Sequence, residues 1–76
     1  MAVNYKVRVN NLLTRAAPLA EWNAKNKPNQ KVLRVSAEDM ASLQGYFELP
    51  KERQDLPVTL KDGKFWFRGF ELAPMP

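Results

Sequence analysis

At 76 residues the chain is long enough for one small domain with a thin core, burying roughly 60% of the surface its unfolded form exposes. Hydrophobic types make up 45% and charged types 26%, a globular rather than a disordered composition. The absence of cysteine and histidine excludes disulfides, thiolate metal sites and cysteine nucleophiles, and removes the commonest general base and metal ligand. No apolar run approaches the roughly 18 residues that span a bilayer, and no charged-then-apolar signal segment opens the chain. These features lead us to expect a cytoplasmic domain with no cofactor, no metal and no membrane partner.

Charge is unevenly placed. Met1 to Arg34 carries seven cations against the single anion Glu21, whereas Val35 to Pro76 carries five cations against seven anions. The net +4 is therefore concentrated in the first half, as a basic face that could meet phosphate or an acidic protein surface.

In chain order, Val3, Tyr5, Val7 and Val9 alternate with polar residues, a period of two that predicts an N-terminal strand. Leu12 to Ala17 shows no decisive period. Pro18 fits the first turn of a short helix, with Leu19 and Trp22 on its core side and Lys25 near its end, closed by Lys27-Pro28. Val32, Leu33 and Val35 read as a brief strand. Ser36 is a helix N-cap followed by Glu38 and Asp39 where the dipole favours anions, and Met40, Leu43 and Phe47 continue at helical spacing. A second helix over Ala37–Tyr46 follows, weakened at its end by Gly45 and closed by Pro50.

The C-terminal part reads as a β-hairpin, Pro57 to Leu60 and Phe65 to Leu72 flanking Lys61-Asp62-Gly63-Lys64. Val58, Leu60, Phe65 and Phe67 fall on one face, and Thr59, Lys61, Trp66 and Arg68 on the other. Gly69 is expected to mark a bulge, and residues 73–76 a loose tail. The whole, residues 1–76, is one α+β domain whose core is expected to contain Leu19, Trp22, Leu33, Met40, Leu43, Phe47, Val58, Leu60, Phe65 and Phe67.

Enzyme chemistry finds no support. A hydrolytic triad lacks its histidine, and three scattered glycines make no phosphate loop. The adjacent carboxylates of Glu38 and Asp39 are accounted for by capping. Trp66, flanked by Lys61, Lys64 and Arg68, offers an aromatic ring among cations, the combination that suits nucleic acid, or else it caps the core from its edge.

Three blocks, in order, resemble the excisionases of lambda-like temperate phages. Leu19-Ala-Glu21-Trp22-Asn23-Ala24-Lys25-Asn26-Lys27 is similar to the family's opening helix. Ser36-Ala-Glu38-Asp39-Met40 is similar to its second helix start, and Pro57-Val58 with Lys61-Asp62-Gly63-Lys64-Phe65-Trp66 to its wing hairpin. The resemblance implies a small MerR-like winged-helix protein that binds and bends duplex DNA to direct an integrase, working in the host cytoplasm. The second helix departs from the family pattern, with Ala41, Ser42 and Gln44 where arginines are usual. The expected function is a non-enzymatic DNA-binding accessory or regulatory protein, contacting nucleic acid through Lys25, Lys27, Lys31, Arg34, Lys61, Lys64, Trp66 and Arg68. The alternative is a small phage-type interaction module, an inhibitor or adaptor, binding an acidic partner surface.

Overall fold

The structure, a computed structural model, describes residues 3–76. Its elements are α1 (Tyr5–Asn26), β1 (Val32–Val35), α2 (Ala37–Tyr46), a 3-10 turn (Lys51–Arg53), β2 (Thr59–Lys61), β3 (Lys64–Phe67) and β4 (Phe70–Pro74). The expected α+β class stands, as two helices and a four-stranded sheet.

The N-terminal strand expected over Val3–Val9 is replaced by a helix, and the helix expected to start at Pro18 begins three turns earlier. The alternation of four apolar residues is overridden by a longer pattern. Val9, Leu12, Leu13, Ala16 and Ala20 recur every three or four residues and are all buried, whereas Val7 is 52% exposed. Asn4 supplies the start, its side-chain oxygen accepting the Val7 N–H at 3.1 Å. Pro18 lies inside α1 and on its exposed side, so the Thr14 carbonyl that it leaves without a donor faces water. Lys27 ends the helix as expected, its N–H donating to the Asn23 carbonyl at 2.8 Å.

The second helix has the expected bounds, with the Ser36 hydroxyl accepting the Asp39 N–H at 3.1 Å. Gly45 does more than weaken its end. A Cβ at this position would stand 2.5 Å from the Tyr5 ring, so glycine lets α1 and α2 approach closely. Tyr46, fully buried, accepts the Leu56 N–H on its hydroxyl at 2.9 Å and so anchors the connection to β2.

The sheet order is β1-β4-β3-β2, with β1 parallel to β4 and the other pairs antiparallel. The predicted hairpin is present as β2–β3, turning through Asp62 (φ 55°) and Gly63 (φ 73°), the paired positive values of a type I′ turn. Its second strand is shorter than expected. Gly69 (φ 81°) with Arg68 (φ 53°) forms a second tight turn instead of a bulge, and the chain returns as β4. Ala73 and Pro74 therefore belong to the sheet, not to a loose tail, and the Met75 N–H still donates to the Val35 carbonyl at 2.9 Å.

Both helices cover one face of the sheet, where Leu33, Val35, Phe65, Phe67, Phe70 and Leu72 join the buried residues of α1 and α2 in a single core. Phe47 of the α2 cap stacks on Phe65 at 5.6 Å between ring centres. Of the expected core, Leu33, Leu43, Val58, Phe65 and Phe67 are buried, and Met40 and Phe47 pack partly against it. Leu19, Trp22 and Leu60 are about half exposed, at 56%, 52% and 48%. The phase of the long α1 turns the first two outward, and Leu60 sits on an edge strand.

Candidate nucleic-acid interface

The face of the sheet opposite the helices holds the side chains that alternation turns away from the core. Cross-strand register arranges them in two rows. Val32, Glu71, Trp66 and Thr59 stand opposite one another across the four strands. Two residues along, Arg34 pairs with Ala73 and Lys64 with Lys61, and the β3–β4 register sets Lys64 beside Ala73. Neighbouring strands are about 4.8 Å apart and the rows roughly 7 Å apart, so the eight positions form a plate about 14 Å wide.

One row is thus cationic, with Arg34, Lys61 and Lys64 exposed around Ala73, whose small side chain is covered at 7% exposure. The other row is aromatic and acidic. The Trp66 indole N–H donates to the Lys61 carbonyl at 3.3 Å, drawing the ring across β2. Glu71 lies 3.9 Å from the Lys64 ammonium and pins that cation over the sheet. The Arg34 guanidinium donates to the Pro74 carbonyl at 3.1 Å, which orients it along the same surface.

The eight residues predicted from sequence therefore separate into two groups. Arg34, Lys61, Lys64 and Trp66 share the outer sheet face. Lys25, Lys27, Lys31 and Arg68 instead lie around the C-terminal end of α1 and the β3–β4 turn. There Lys27 stands 5.7 Å over the Trp22 ring and Lys31 5.5 Å over Phe70. Arg68 lies 5.4 Å over Phe67 and 3.7 Å from Glu21. The expectation that Arg68 shares the Trp66 face fails because Arg68 is a turn residue with positive φ.

Thr59 stands opposite Trp66 as hairpin alternation predicts, whereas the surface positions of Trp22 and Leu19 and the approach of Val32 and Glu71 to the Trp66 row are not foreseen from sequence. Extending the Val9-to-Ala20 helical phase by one turn would have turned Trp22 outward. The β1–β4 pairing, between strands 35 residues or more apart, has no local signal. A separate surface depression lies at the start of α1 between Val3, Tyr5, Lys6, Leu49 and Arg53. Among the described residues no three Asp or Glu side chains cluster, and no helix is long and apolar enough to cross a membrane. No protein-family model, curated protein or solved structure shows a significant match to this chain.

Proposed function

We propose that the chain is a small non-enzymatic nucleic-acid-binding module with an accessory or regulatory role, and that it binds through the outer face of its sheet. The observation that carries this reading is that Arg34, from a strand distant in sequence, joins Lys61, Lys64 and Trp66 of the β2–β3 hairpin on the sheet face opposite the helices. Arg34 and Lys61, with Lys64 shared between Glu71 and the ligand, neutralise phosphates, and the aromatic ring of the neighbouring row contacts sugar or base. A net charge of +4 adds long-range attraction to the same polyanion.

The test is binding of fluorescein-labelled oligonucleotides between about 50 and 200 mM salt, a range over which phosphate contacts show their steep logarithmic dependence. Replacing Lys61 and Lys64 by alanine removes two neutralisations and makes the slope shallower, while folding is retained because both side chains are exposed. Parent protein that binds no oligonucleotide at the lowest salt contradicts the reading.

One observation favours a second reading, a protein-interaction module. Leu19, Trp22 and Met75 expose more than half their surface, and Leu19 and Met75 line one groove with Arg15 and Arg34 beside β1. That reading predicts loss of a protein partner on replacing Leu19 and Trp22 by serine, with nucleic-acid binding absent in the parent.

A further inference from the structure

Resting on the nucleic-acid reading above, we infer that the ligand is a single strand, laid across the sheet with an unpaired base stacked on Trp66 and its phosphates along Lys61, Lys64 and Arg34. Three features of the face lead there. The first is its width. A plate of four strands spans about 14 Å between its outer strands before side chains are added, whereas the major groove is about 12 Å wide and admits a helix or a two-stranded ribbon. Here the β2–β3 ribbon is joined to β4 and β1 at full register, so it does not project as a free ribbon.

The second feature is the posture of the indole. Its only polar atom is already bonded to the Lys61 carbonyl, so the ring has no donor left to read a base edge. What remains for a ligand is the apolar surface of a partly exposed ring. Bases inside a duplex are stacked on one another and offer no partner to such a surface; an unpaired base does.

The third is the division of charge. The Glu71 carboxylate lies in the Trp66 row, where with its Lys64 partner it leaves no net positive charge to hold phosphate, while Arg34 and Lys61 keep the row two residues along cationic. A strand placed with its backbone over Lys61, Lys64 and Arg34 brings its bases, not its phosphates, over Glu71 and Trp66. The rows stand roughly 7 Å apart, so backbone and bases lie over different rows.

The experiment uses the full chain carrying Trp22→Phe, which leaves Trp66 as the single tryptophan. Its fluorescence is titrated with oligo(dT), oligo(U) and a duplex of equal length at several salt concentrations. Single strands are expected to quench Trp66 and to bind at least tenfold more tightly than the duplex. Trp66→Ala is expected to weaken single-strand binding about 5- to 150-fold, the range of one lost base stack, and Trp66→Phe to recover most of it. Replacing Lys61 and Lys64 by alanine should make the single-strand salt slope shallower by about 1.4. Duplex binding as tight as single-strand binding, unaffected by Trp66→Ala but with a slope reduced by the lysine replacements, overturns the single-strand inference and leaves the nucleic-acid reading standing. No binding to any of the three overturns both. Circular dichroism melts of each variant separate lost binding from lost folding.

Discussion

Gly45→Ala is the substitution whose sign the structure reverses. In an exposed helix interior, glycine to alanine stabilises by about 0.8–1.0 kcal/mol, through backbone entropy alone. Gly45 is buried in the last turn of α2, and a Cβ there would lie 2.5 Å from Cε1 and Cζ of Tyr5 and 2.6 Å from Cδ1. Carbon contacts settle near 3.5–4.0 Å, so about 1 Å of separation must be found at three ring atoms at once. Tyr5 belongs to the first turn of α1 and packs against the core, so relief requires the ring to leave its site or the two helices to part. Overpacking of this kind costs about 1–3 kcal/mol, which outweighs the propensity gain. In a domain of this size each kcal/mol moves the melting temperature by about 4–8 °C, so Gly45→Ala should melt several degrees lower. The decisive control is the same change in a Tyr5→Ala background, where the obstruction is gone and Gly45→Ala should raise Tm. If Gly45→Ala stabilises the parent, the close approach of α1 and α2 is wrong.

Other expected outcomes follow from the same geometry. Arg68 holds φ at 53°, a left-handed conformation that costs a side chain about 1–2 kcal/mol, so Arg68→Gly should be more stable than Arg68→Ala although both lose the same cation; equal melts refute the turn. Leu12→Ala, at a site 3% exposed, should cost about 2–5 kcal/mol in a urea melt. Trp22→Ser, at a ring 52% exposed, should cost far less, and the opposite order would restore Trp22 to the core. The Lys6 ammonium, hydrogen-bonded to the exposed Asp55 at 3.0 Å, holds that carboxyl below its ordinary value of 3.8. Its small stabilisation is present above the ordinary carboxylate range and fades as pH falls through the lowered value. Lys6→Met should raise the Asp55 midpoint in an NMR titration, and an unchanged midpoint would show the pair is not formed.

What could be read from the sequence was local. Ser36 caps α2 because its hydroxyl needs only the N–H three residues on, and Asp62-Gly63 closes a hairpin because its two positive φ values are set within the turn. The N-terminal helix was hidden by a window four apolar residues long. Its true period shows only when Val9 is read together with Leu13, Ala16 and Ala20, across a proline that ordinarily ends a helix. The outer face was half visible. Lys61, Lys64 and Trp66 share it through hairpin alternation, which short-range register dictates. Arg34 reaches it only because β1 pairs in parallel with β4, a contact across 39 residues with no signature in either segment. Arg68 was misplaced because a glycine read as a bulge is the second half of a turn.

Whether the outer sheet face meets the proposed nucleic-acid ligand is decided by amide and indole shifts in a nitrogen-15 NMR titration with an oligonucleotide. The Trp66 indole N–H and the amides of Arg34, Thr59, Lys61, Lys64 and Glu71 are expected to move, while the indole N–H of Trp22 stays in place. Shifts confined to Trp22, Leu19 and Lys25 on α1, with Trp66 unmoved, would contradict that placement.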